Sequence, residues 1–176
     1  MLSELVIATY NKPAYLAITL DTLAGQSVLP DAVCIADDGS DDRTAIVIER
    51  FRDRYPLIQL RHVWHEDLGF RKTQILNQAV KTSSADYMIF IDDDCLMHPL
   101  FIQRHLSLAS ERRFLTGCAI RLDAVSSAEL LRRGACAWTP DGKPPLWQPT
   151  GLSERLKSMP LDASLMGILE RLLPIR

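Results

Sequence analysis

What most constrains this chain is a rhythm. Short apolar runs alternate with longer stretches of helical spacing from residue 4 to residue 120, and the runs at 32–36 and 87–91 stop abruptly in carboxylates. Such alternation predicts an α/β fold, a mostly parallel sheet with helices on both faces and right-handed crossovers. The expected strands are 4–8, 32–36, 57–63, 87–91 and 114–120; the expected helices are 13–24, 43–54, 69–81 and 99–109. Pro13 suits a first helical turn and Gly25 the residue just past a helix end, with Leu16, Leu20 and Leu23 between them on one face. Ser40, Asp41 and Asp42 stand where N-caps and first-turn acids are favoured, so Asp41 and Asp42 are read as capping residues.

The length of 176 residues corresponds to about one domain. A content of 47% hydrophobic and 24% charged residues excludes a disordered chain, and a formal net charge of −2 gives no case for nucleic-acid binding. No apolar run approaches the roughly 20 residues of a membrane span, and Met1-Leu2-Ser3-Glu4 has no signal-peptide character. Cys34, Cys95, Cys118 and Cys136 form no close pair, so buried free thiols in a reducing cytoplasm are expected rather than a zinc site. Four of the ten prolines lie between Pro140 and Pro149. The chain is therefore divided into a core at 1–133, a Pro/Gly-rich linker or loop at 134–151, and short helical patterns at 152–176.

The chemistry concentrates at strand ends. Seven of the 22 acidic residues sit in two short segments, Asp37, Asp38, Asp41 and Asp42, and Asp92, Asp93 and Asp94. In an open parallel sheet the carboxyl ends of the strands share one crevice, where ligands bind. That much negative charge needs a cation or hydrogen-bond donors. Oxygen donors alone point to Mg²⁺ or Mn²⁺, ions that take one or two carboxylates and complete their shell with phosphate and water. A third segment, His65-Glu66-Asp67-Leu68-Gly69-Phe70-Arg71-Lys72, carries two cations into a helix start, against the helix dipole. A diphosphate there removes the conflict with Arg71 and Lys72 as its ligands; otherwise the two are a solvated basic pair, or partners for Glu66 and Asp67. Tyr10-Asn11 closes the first strand, where an aromatic ring can stack on a base and the strand end offers backbone groups.

These segments resemble the family 2 glycosyltransferases of the GT-A, Rossmann-like fold. Val6-Ile7-Ala8-Thr9-Tyr10-Asn11 is similar to their opening strand. Ala36-Asp37-Asp38-Gly39-Ser40-Asp41 is similar to their "DDGS" loop, and Phe90-Ile91-Asp92-Asp93-Asp94 to their D-x-D metal motif. The Gln26…Pro30 spacing and His65–Arg71 resemble a bacterial subgroup that builds surface polysaccharide or lipopolysaccharide. The resemblance implies a nucleotide-sugar donor, a UDP-sugar first among them, and a glycan or lipid-linked acceptor. It places Tyr10 on the base, beside backbone groups of Ala8 and Thr9, with Asp38 and Asp37 hydrogen-bonding that base. Arg71 goes to the base or diphosphate, Asp92 and Asp93 near ribose and sugar, and Asp94, with Asp92, on the metal.

Beyond Ile120 the resemblance thins. Family members place their catalytic base and acceptor residues there, often beginning at a Glu-Asp pair, and no such pair follows here. The expectation is a GT-A fold truncated at its C-terminus, with a complete donor half and no assigned base. Asp123 is the weak candidate for that role. The alternative is a shortened module that binds nucleotide sugar with little or no turnover. Leu161, Leu165, Ile168, Leu169, Leu172 and Leu173 form an apolar stripe, for which core capping, self-association and peripheral contact with the inner membrane face are the readings.

Overall fold

The computed structural model describes residues 1–117, 119 and 121–134. Four parallel strands, β1 Ser3–Thr9, β2 Ala32–Asp37, β3 Leu60–Trp64 and β4 Tyr87–Asp92, form one sheet in the order β3-β2-β1-β4. The order reverses beside β1. The register carries Ala8 opposite both Ala36 and Asp92, so the three strand ends lie level. Between the strands run α1 Pro13–Ala24, α2 Asp42–Arg54 and α3 Lys72–Lys81; α4 Phe101–Leu108 and α5 Ala124–Arg133 follow β4.

The period of two in each strand sorts its side chains between two cores. Leu5, Ile7, Val33, Ile35 and Ile89 pack on one face against Leu16, Leu20 and Leu23 of α1, Ile48 and Phe51 of α2, and Ile102 of α4. Val6, Cys34 and Ala36 pack on the other against Ile75 and Ala79 of α3. The central strand β1 is buried along its whole length, as a parallel strand covered on both faces must be.

Two expectations need correction. Residues 114–117 and 119 belong to no strand, and Phe114 is 87% exposed, so the apolar spelling of 114–120 does not produce a strand among the described residues. The helix α5 has no counterpart in the sequence reading. Its signals are an N-cap at Asp123, whose side chain accepts from the Ser126 N–H at 2.8 Å, and a left-handed Gly134 just past its end. Boundaries also shift. α3 starts at Lys72 rather than Gly69 because Gly69 has φ +89°, outside helical space. The Pro/Gly-rich segment beyond Gly134, the short helical patterns at 152–176 and their apolar stripe lie outside the described residues, as do Cys118 and Cys136. Cys34 and Cys95 are free; burial pushes the Cys34 thiol up to about 12.

Candidate functional site

The level strand ends are laced together by their own backbone. The Asp38 N–H donates to the Thr9 carbonyl and the Asp93 N–H to the Ala8 carbonyl, each at 3.0 Å. Ala8 and Thr9 are buried, and these carbonyls hold the two acidic loops against the end of β1. Tyr10 emerges 46% exposed, its hydroxyl donating to Asp67 at 2.9 Å. That bond raises the phenol above its ordinary value. Asn11 then turns the chain with φ +52°. Its side-chain oxygen accepts from the Asp41 N–H and its own N–H donates to Ser40 Oγ, both at 2.9 Å.

In the 37–42 segment the four expected acids do different things. Asp37 is 1% exposed; one oxygen accepts from the Ser40 N–H at 2.8 Å and the other lies 3.0 Å from His62 Nε2. It shapes the turn and faces β3. Asp38 lies 2.7 Å from His65 Nε2 through one oxygen, and its other accepts the Arg71 N–H at 2.9 Å. Asp41 caps α2, as the sequence indicates, and Asp42 occupies its first turn. Gly39, at φ +95°, has no room for a side chain: a Cβ would sit 2.7 Å from Asp67 Cα.

The 65–72 segment closes onto this loop. The Gly69 N–H donates to Asp67 at 3.0 Å and, with Tyr10, holds the Asp67 carboxyl below its ordinary value. Arg71 is the N-cap residue of α3 and Lys72 its first residue, with no acid in the first turn. The conflict with the helix dipole is met from outside: Asp38 caps the Arg71 N–H and Asp92 pairs with the Lys72 ammonium. Arg71 Nε remains buried without a partner, while Nη2 donates to the Glu66 carbonyl. A buried, unpaired guanidinium N–H is costly and favours an incoming anion.

The three consecutive aspartates part ways. Asp93 is 4% exposed and accepts from Thr9 Oγ1 at 2.7 Å; burial holds its carboxyl above the ordinary value. Asp92 and Asp94 remain open, their side chains 54% and 44% exposed. Lys12 Nζ lies 3.0 Å from Asp94 and 3.8 Å from Asp93. The loop after them is strapped to α1. Thr19 Oγ1 donates to the Asp93 carbonyl at 2.7 Å, and Thr22 Oγ1 accepts from the Met97 N–H at 3.2 Å. Gln26 donates to the His98 carbonyl and accepts from the Ile102 N–H.

Among the described residues no three His, Cys, Asp or Glu side chains form a ready-made metal cage. Two open carboxylates one residue apart, with hard oxygen donors, still suit an ion that fills its shell with phosphate and water. Tyr10, Arg71, Lys72, Asp92 and Asp94 thus lie at or beside the level strand ends, with Asp38 buried among them at 3% exposure. Asp37 and Asp93 are turned into their surroundings, and Asp123 is the N-cap of α5. Sequence reasoning did not single out His62, His65, Asp67 or Lys12 as parts of the site, nor give Asn11 its bridging role.

A parallel sheet whose strand order reverses beside its central strand, with helices on both faces, is the open α/β class that binds ligands at its carboxyl strand ends. The chain belongs to glycosyl transferase family 2, whose model matches residues 4–161. It is 34% identical over 127 residues to validoxylamine A glucosyltransferase of Streptomyces hygroscopicus subsp. limoneus, covering 69% of this chain and 27% of that protein. It is 30% identical over 106 residues to chondroitin synthase of Escherichia coli, covering 60% of this chain and 15% of that protein. Among solved structures, the mannosyltransferase PcManGT from Pyrobaculum calidifontis, in complex with GDP-Man and Mn²⁺, superposes with a TM-score of 0.58 at 22% identity, covering 68% of this chain and 35% of that one. Residues 1–349 of TarS from S. aureus superpose at 0.52 and 23% identity, covering 61% of this chain and 32% of that one. The fold is the Rossmann-like core of the GT-A type, and the chain spans about a third or less of these relatives.

Proposed function

We propose that this chain is the donor-binding part of a metal-dependent, inverting glycosyltransferase that moves a sugar from a nucleotide sugar to a glycan or lipid-linked acceptor. The observation that supports this reading is that exposed Tyr10, Asp92 and Asp94 and the basic start of α3 lie around the level strand ends, with Asp38 buried beneath them. The open face of Tyr10 stacks on the base. Asp38 accepts an N–H from it, since each carboxylate oxygen keeps a lone pair beyond its bond to His65 or Arg71. Arg71, Lys72 and the α3 N-terminus hold the diphosphate. Asp94, with Asp92, would hold Mn²⁺ or Mg²⁺, whose chemistry is to stabilise charge on the departing diphosphate. Asp37 and Asp93 act behind this layer by fixing Ser40 and Thr9.

A UDP-sugar is the first donor to try. TarS is described with UDP-GlcNAc (TM-score 0.50) and PcManGT with GDP-Man and Mn²⁺, so both bases belong in the test. Free Cys34 and Cys95 fit the reducing cytoplasm in which we place the work. No helix among the described residues is long and apolar enough to cross a membrane. A second reading, a module that binds donor but turns it over slowly, is favoured by Asp123. Its carboxylate caps α5 and is held below its ordinary value by the Ser126 N–H, which makes it a poor proton acceptor.

Calorimetry with UDP and GDP, with and without Mn²⁺, tests the donor site apart from turnover. Asp94→Ala is expected to abolish the metal-dependent share of binding while the chain stays folded. Unchanged affinity in the presence of Mn²⁺ would remove Asp94 from the metal site.

A further inference from the structure

We propose that Lys12 is the resident counter-cation of the Asp94 carboxylate, and that its transfer from Asp94 to the donor's diphosphate couples metal binding to diphosphate binding. The inference rests on the donor and metal reading above and extends it to a residue that reading leaves out.

Lys12 starts from a fixed point. Asn11, in its left-handed conformation, is held by Ser40 and Asp41, so the backbone beneath Lys12 is anchored to the 37–41 loop. From there the ammonium reaches Asp94 at 3.0 Å and Asp93 at 3.8 Å, lying 5.7 Å from the centre of the Tyr15 ring. Lys72 does the same for Asp92 from the other side of the crevice. Three carboxyl groups therefore face two ammonium groups. A divalent ion that binds Asp94 meets an ammonium already on one oxygen of that carboxylate, so metal alone is opposed by the charge of the lysine.

A nucleoside diphosphate changes this balance. It brings its own negative oxygens to the same place and gives the displaced ammonium a partner. Metal and diphosphate then favour each other, and by linkage the preference is reciprocal. Lysine suits the part: its ammonium is a compact charge on a flexible stem, able to change partner without the fixed fork of an arginine. The Lys12 side chain is 47% exposed and so has room to swing.

The test is Mn²⁺ binding to the full chain by electron paramagnetic resonance, with and without UDP. It compares the unaltered chain with Lys12→Met, Lys12→Arg and Asp94→Ala. Lys12→Met keeps the stem and removes a half-exposed charge, so it should fold; circular dichroism checks this. It is expected to bind Mn²⁺ alone up to about fivefold more tightly, the scale of one exposed ion pair. Its gain in Mn²⁺ affinity on adding UDP should shrink, while Lys12→Arg keeps more of that gain. Normal Mn²⁺ binding with an unchanged UDP gain in Lys12→Met overturns the role of Lys12 and leaves the metal site standing. If the unaltered chain binds no Mn²⁺ even with UDP, or Asp94→Ala binds it equally well, the metal reading fails and Lys12 with it.

Discussion

At Gly39 the backbone sits at φ +95° and a Cβ would press to 2.7 Å from Asp67 Cα. This contact brings the loop carrying Asp38 against the loop carrying Arg71. Gly39→Ala is expected to cost about 2–4 kcal/mol in urea unfolding, from the left-handed conformation together with overpacking. It should also weaken nucleotide binding, because the two loops must part. Tyr10→Ala is expected to weaken UDP binding by about 1–3 kcal/mol, the range for base–aromatic stacking, and to leave pyrophosphate binding nearly unchanged. Equal losses for both ligands would make Tyr10 a packing residue. Much of this scale was legible: a cap at Asp41, an aromatic at the end of β1, acids at strand ends. Asp93 was not separated from its neighbours, although a signal existed. Continuing the period of two through β4, it shares parity with Ile89 and Ile91, toward the face that α1 covers, whereas Asp92 follows Met88 and Phe90. The pairing of His65 with Asp38 had no such signal, because it joins residues 27 apart through a loop whose path no periodicity describes.

Among the elements, α3 carries Arg71 and Lys72 and is fastened by one arginine. Arg61 of β3 lies 2.6 Å from buried Glu4 of β1 and donates to the Ala79 carbonyl at 2.7 Å and Thr82 Oγ1 at 2.6 Å, at the C-terminal end of α3. Burial alone would raise the Glu4 carboxyl, but hydrogen bonds from Arg61 and Ser83 bring it below its ordinary value. The sign follows by linkage: this pair's contribution is fully present above the ordinary carboxylate range and is lost as pH falls through the lowered value. Arg61→Ala is expected to cost about 3 kcal/mol at neutral pH, because it leaves Glu4 buried and unpaired. The slope then inverts. The Glu4 carboxyl should rise above its ordinary value, and the variant should lose stability as pH rises through it, which urea midpoints from acid to neutral pH would show. The alternation of elements was legible because each strand and helix keeps its period over several residues. α5 was missed and a strand at 114–120 expected because an apolar spelling alone cannot tell a buried strand from a segment without sheet neighbours.

For the molecule as a whole, the function proposed above assigns groups to a donor and, among the described residues, assigns none as base for an acceptor. A positioned base contributes about 10²–10⁴-fold to such a transfer. The purified chain is therefore expected to bind UDP with Mn²⁺ yet transfer sugar slowly over a broad acceptor panel. Turnover on the order of 1–10³ s⁻¹ would refute this and send the search back to Asp123 and the crevice acids. The straps from α1 to the loop after β4 have a thermodynamic consequence. Thr19, Thr22 and Gln26 fix the segment from Asp93 to Ile102 through its own backbone groups. Ordering one residue's backbone costs roughly 1–2 kcal/mol of conformational entropy. Folding has already absorbed that cost for this loop, so an arriving ion has little left to freeze. Gln26→Ala should hand part of it back to the binding step. Amide exchange in the loop should quicken, and Mn²⁺–UDP binding should weaken through a less favourable entropy, although no atom that meets either ligand has changed.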